Sequence, residues 1–167
     1  MPKVTIIGAG SAVFATELMT DILLTPALET GVFALVDIDH ERLELAHQMA
    51  EFLIEGTGRN WSVEASADRT QVLTGSDYVI NTIEVAGLAN VRHDYDIPMK
   101  YGVDQCIGDT IGPGGLFKAL RTLPAWLDIL ADVEWLAPHA LVLNYTNPMS
   151  LTVLTGVRAS KLPIVGL

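Results

Sequence analysis

The run Val4-Thr5-Ile6-Ile7-Gly8-Ala9-Gly10-Ser11-Ala12 stands at the start of the chain and constrains it most: a β-branched apolar stretch leads straight into Gly-x-Gly-Ser. This is the pattern of a strand that enters a phosphate-binding turn and then a helix. The first glycine allows a sharp turn. The second removes the side chain that would keep a pyrophosphate from the helix N-terminus, where free N–H groups and the helix dipole favour an anion. A bare Gly-x-Gly is also an ordinary tight turn, and Val13 stands where a third glycine is usual. The context favours the first reading: an N-terminal position, a preceding strand, and an acidic residue closing the next strand.

Strand and helix signals alternate from there on, which predicts an α/β fold, a doubly wound parallel sheet of six strands in the Rossmann manner. Strands are expected over 3–8, 32–36, 61–65, 77–83, 140–144 and 163–167. Helices are expected over 12–24, with Phe14, Leu18 and Ile22 buried, and from the Asp39 cap to about Glu55, with Leu43, Ala46, Met49 or Ala50 and Leu53 buried. Another spans Leu116 to Trp135, broken or kinked at Pro124, and a last one runs from about Ser150 to Arg158. Residues 84–115 read as a long polar connection, too long to be idle, so function is expected there.

At 167 residues the chain is one domain, 1–167, long enough for a real core. A domain rarely ends on its last core strand, so the expectation is the N-terminal part of something longer, stopping within its sixth strand. No apolar run reaches ~18 residues and no signal peptide is visible, which together with the lone Cys106 favours a cytoplasmic protein. The net charge of −10 argues against nucleic acid and anionic membranes as partners. It does not oppose a dinucleotide, whose phosphates would be held by local backbone dipoles.

Candidate site residues follow from the topology. Gly8, Gly10, Ser11 and Ala12 form the cofactor turn. Asp37 closes the second strand, 27 residues after Gly10, where a carboxylate accepts hydrogen bonds from a ribose and favours NAD over NADP. It would otherwise simply cap a turn. Asn81, Thr82 and Glu84 lie at the carboxyl end of the fourth strand, facing a cofactor or else acting as satisfied turn residues. Gly112-Pro113-Gly114-Gly115, just before a helix, makes a second backbone nest able to bind oxygens. Cys106 and Met149 read as packing residues, and His40 and His47 as solvated.

Asp109-Thr-Ile-Gly-Pro-Gly-Gly115 and Asn144-Tyr-Thr-Asn-Pro148 carry a specific resemblance. With the glycine turn, they make the chain from Gly8 to Leu167 similar to the NAD-dependent family 4 glycoside hydrolases, whose N-terminal domain is similar to that of lactate and malate dehydrogenases. The resemblance implies a glycosidase that uses NAD without consuming it, together with a divalent metal, commonly Mn2+. Sugar C3 is oxidised, the ketone acidifies the C2 proton, the glycosidic oxygen is eliminated from C1, water adds, and C3 is reduced again. The metal polarises the C2 and C3 oxygens.

By the same resemblance, Asn147 sits by the sugar hydroxyls, Arg92 binds substrate, and Asp109 contacts it. No catalytic or metal-binding residue is placed within the chain. The metal cysteine is expected just after Leu167, and the metal histidine and the base further on, so these residues alone would bind NAD and hydrolyse nothing. The wording of Asp109-Thr-Ile-Gly-Pro-Gly-Gly115 and of Leu120-Arg-Thr-Leu-Pro124 is more similar to the members that act on unphosphorylated α-galactosides, α-glucosides or α-glucuronides than to the 6-phosphoglycosidases. The implied partner is a small glycoside, and the implied assembly a dimer or tetramer of the full-length chain. Two other readings stand beside this one: a lactate/malate-type 2-hydroxyacid dehydrogenase, and a non-catalytic NAD-binding module.

Overall fold

Alternate residues of the central strands belong to two separate apolar clusters, and this parity is what makes the sheet the middle layer of three. The computed structural model of the chain describes residues 1–11, 13–106 and 109–167, the side chain of Leu88 excepted. Six strands are present: β1 (Lys3–Ile7), β2 (Thr30–Val36), β3 (Asn60–Ser66), β4 (Tyr78–Asn81), β5 (Leu141–Asn144) and β6 (Ile164–Gly166). All pair in parallel, in the order β3-β2-β1-β4-β5-β6. This is the doubly wound arrangement expected from the alternation of signals.

Val4, Ile6, Phe33, Leu35 and Ile80 point to one face, where α1 (Phe14–Leu24) and α2 (His40–Thr57) cover them with Met19, Leu23, Leu43 and Ala50. Ile7, Ala34, Val36, Val79 and Val142 point to the other face. There α4 (Gly112–Leu136) lays down Trp126, Ile129, Leu130 and Val133, and α5 (Met149–Ala159) packs alongside. Trp126 is fully buried, and its indole Nε1 donates to the Thr152 carbonyl at 2.9 Å, tying α4 to α5. Among the described residues no helix is long and apolar enough to cross a membrane.

Local signals explain most boundaries. Asp39 caps α2, accepting from the amides of Glu41 and Arg42, and Gly58 ends it in the left-handed region at φ +63°. The buried face of α2 is Leu43, Ala46 and Ala50, as the periodicity predicts. In α1 the buried face is rotated by one residue from the expected one. Ala15, Met19 and Leu23 are buried, whereas Phe14 is 40% exposed. The reason is an edge-on contact of Phe14 with Tyr145, centroids 5.1 Å apart, which turns that ring away from the sheet. Met149 is 38% exposed rather than core, because α5 begins there at the sheet edge.

Three expectations over 84–136 are corrected. The polar connection contains a twelve-residue helix, α3 (Leu88–Met99). It lacks a wide apolar stripe and is anchored by charge. Asp94, 1% exposed, accepts both ends of the Arg121 guanidinium, at 3.0 and 2.7 Å. That fork-to-fork hydrogen bonding, first among the causes, holds the Arg121 guanidinium above its ordinary value against the opposing effect of burial. Gly112-Pro113-Gly114-Gly115 is the first turn of α4 and not a nest before it, with Pro113 at a position where its missing N–H costs nothing. The helix then continues through Pro124 without a break.

Asp94→Asn leaves a largely buried guanidinium without its counter-charge. It should lower the unfolding free energy in urea by about 2–4 kcal/mol, whereas the double change Asp94→Leu, Arg121→Met should recover most of the loss. Trp126→Ala should cost about 3–5 kcal/mol in the same measurement, through cavity formation between α4, α5 and the sheet.

Candidate functional site

Because every strand runs the same way, the turns that leave β1, β4 and β5 emerge on one edge of the sheet. Chain order reverses between β1 and β4, so the connections on either side of that break run to opposite faces and leave a crevice between them. A cavity of about 190 Å³ lies there, bounded by Ser11 and Phe14 from the first turn, Thr82 and Glu84 from the second, and Tyr145 and Asn147 from the third.

The first turn is tightly built. Gly8 has φ +90°, and a Cβ there would lie 2.8 Å from the Thr82 carbonyl, so only glycine fits. The amides of Gly8 and Ala9 both donate to the Val36 carbonyl, at 2.9 and 3.0 Å. Gly10 N donates to Asp37 Oδ2 at 2.8 Å, while Asp37 Oδ1 accepts from Asp39 N at 2.9 Å. A Cβ on Gly10 would meet Asp37 Oδ2 at 2.6 Å and Arg42 Cβ at 2.7 Å. The turn therefore brings its backbone and the β2 carboxylate together. What it presents to the crevice is Ser11 and the start of α1 rather than the inner amides of residues 8–10. Ala12 lies outside the described residues.

The second and third turns are locked to the first and to each other. Thr82 N donates to the Ile7 carbonyl at 2.9 Å, and its Oγ1 lies 3.1 and 3.0 Å from the carbonyls of Ile7 and Gly8. Thr146 Oγ1 donates to the Ile83 carbonyl at 3.1 Å. Asn147, in a cis peptide bond with Pro148, has Oδ1 at 3.4 Å from Met149 N. Asn81 takes the second of the two parts open to it, a hydrogen-bonded structural residue. It is wholly buried, and its Nδ2 donates to Asn144 Oδ1 at 2.8 Å, so it binds β4 to β5 beneath the crevice instead of lining it. Asn144 in turn donates to Thr146 O and Thr152 Oγ1, both at 2.9 Å.

Of the residues singled out from the sequence, Ser11, Thr82, Glu84, Asp109 and Asn147 share the cavity wall. Gly8, Gly10 and Asp37 stand beside it. Arg92 is exposed on α3 and does not line the cavity. Sequence reading missed five residues on that wall: Phe14, Ile83, Lys118, Tyr145 and Thr146. Lys118 had a legible signal. It falls on the stripe Gly115, Ala119, Thr122, Trp126 and Ile129 that α4 buries, where a charged residue needs a partner. Its Nζ lies 2.8 Å from Glu84 Oε2 and 3.7 Å from Asp109 Oδ2. Among the described residues no group of three or more His, Cys, Asp and Glu side chains could hold a metal ion.

Known proteins carry the same pattern. The chain is 42% identical over its whole length to an alpha-galactosidase of Bacillus subtilis (strain 168), and spans 39% of that relative. Its fold superposes with a TM-score of 0.88 on the lplD protein of Bacillus subtilis, assigned as a glucosidase, at 30% identity, covering 100% of this chain and 38% of that one. A 6-phospho-beta glucosidase of Thermotoga maritima, solved with manganese, NAD+ and glucose-6-phosphate, matches with a TM-score of 0.72 and 26% identity, over 89% of this chain and 35% of that one. The chain thus spans between a third and two fifths of the length of these proteins. The model of the family 4 glycosyl hydrolases matches residues 3–167, and the chain belongs to that family.

Proposed function

We propose that residues 1–167 form the NAD-binding domain of a family 4 glycosidase that acts on small α-glycosides, of the α-galactosidase or α-glucosidase kind. The observation that carries this reading is the meeting of the glycine turn, the β4 end and Asn147 around one cavity at the break in strand order. The alpha-galactosidase relative supports the choice of branch.

The residues present fit a dinucleotide. Gly8 and Gly10 keep the turn free of side chains, and α1 starts just behind it with Phe14, its first residue, on the cavity wall, so that the positive end of the helix dipole would favour a diphosphate there. Asp37, fixed by two backbone amides, keeps lone pairs for ribose hydroxyls and places a negative charge where a 2′-phosphate would be repelled. Ser11 and Thr82, both on the cavity wall, would offer hydroxyls to the diphosphate and the adjoining ribose. NAD, when bound, supplies reversible two-electron oxidation of a sugar carbon. Asn147 would offer both a donor and an acceptor to sugar hydroxyls, and Asp109 an acceptor, from the same cavity wall. The divalent metal belongs to residues other than these.

Three outcomes are expected. Calorimetric titration should show that Gly10→Ala weakens NAD binding at least about tenfold, because the added methyl displaces Asp37 and the turn together. Asp37→Ala should remove the preference for NAD over NADP, so that the two dissociation constants come within about threefold of each other. The protein in its full encoded length should hydrolyse a nitrophenyl α-glycoside with NAD, Mn2+ and reductant present, while residues 1–167 alone bind NAD without turnover. Turnover by residues 1–167 alone would contradict the assignment of the metal and base to other residues.

A further inference from the structure

Lys118 lies in the second turn of α4 with its side chain only 10% exposed, and a buried ammonium needs counter-charge. Two carboxylates from separate segments supply it: Glu84, in the turn after β4, and Asp109, in the loop before α4. All three groups line the cavity that also holds Ser11, Thr82 and Asn147. Nearby, Arg121 and Asp94 cancel one another in their bidentate pair. One ammonium against two carboxylates leaves the cavity wall with one surplus negative charge.

The direction of a dinucleotide along the crevice follows from Asp37. With one ribose at the β2 side and the diphosphate at the β1 turn, the other half of the molecule passes over β4, toward Thr82 and Glu84. In NAD that half ends in a nicotinamide ring, which is positively charged when oxidised and neutral when reduced. Fixed charge on the wall of an open crevice discriminates between two such forms, more weakly than in a closed site and in a salt-dependent way.

We propose that Glu84, Asp109 and Lys118 set the relative affinity of this site for oxidised and reduced cofactor. The surplus negative charge favours the oxidised form. Lys118 is a positioning residue that holds both carboxylates at the wall and limits the surplus to a single charge. The inference rests on the cofactor reading above.

The test uses the full-length protein freed of co-purified nucleotide, with NAD+ and NADH titrated separately at pH 8 and low salt. The readout is the dissociation constant for NADH divided by that for NAD+, with thermal melting as a check on folding. Glu84→Gln and Asp109→Asn each remove one negative charge and should lower the ratio about threefold or more. Lys118→Met adds one net negative charge and should raise it, while Lys118→Arg should leave it within about twofold. If Lys118→Met fails to fold, the two carboxylate variants and Lys118→Arg decide the matter. A purely structural role would weaken both forms alike and leave the ratio still. A ratio that does not move in the carboxylate variants, or that moves the same way in Glu84→Gln and Lys118→Met, overturns the proposal. Failure of the unaltered protein to bind either form overturns instead the cofactor reading beneath it.

Discussion

β1 is hydrogen-bonded to β2 on one side and to β4 on the other, and the remaining architecture depends on that double pairing. It puts the first strand at the centre of the sheet and sends the two connections that follow β1 and β4 to opposite faces. The separation of those connections creates the only kind of opening a doubly wound sheet offers at its carboxyl edge. Once β1 is central, its exit turn must pass between the ends of two neighbours. The hydrogen bonds from Gly8 and Ala9 to Val36 and from Thr82 to Ile7 draw that passage tight. The glycines are a consequence of this crowding as much as of any ligand.

Much of the fold was legible because it rests on periodic burial. The strands around Val4, Phe33, Val79 and Val142 alternate between two apolar clusters, and such alternation is written in residue order. Helix α3 was not legible for the complementary reason. Its charged anchor is the ion pair Asp94 to Arg121, between residues 27 apart in sequence, and no local pattern announces a partner at that distance. The shifted face of α1 has a similar origin, since Phe14 answers to Tyr145, a residue from the far side of the crevice.

The site shows the same division. Turns placed by strand ends could be located in advance, and Ser11, Thr82, Glu84, Asp109 and Asn147 do converge. What each side chain does there depends on neighbours from other segments. Asn81 looked like a crevice residue by position, yet Asn144 claims it for the interior. Arg92 lies on a helix whose existence was not foreseen, and that helix leaves it exposed on the surface. Lys118 was hidden in a run that reads as plain amphipathic helix until its position on the buried stripe is noticed.

Asp37 holds its orientation through two main-chain donors, Gly10 N and Asp39 N. A carboxylate on a free rotor would surrender torsional entropy each time a ribose docked. Here that freedom is already gone when the chain folds, so a visiting diol meets an acceptor that has nothing left to lose by standing still.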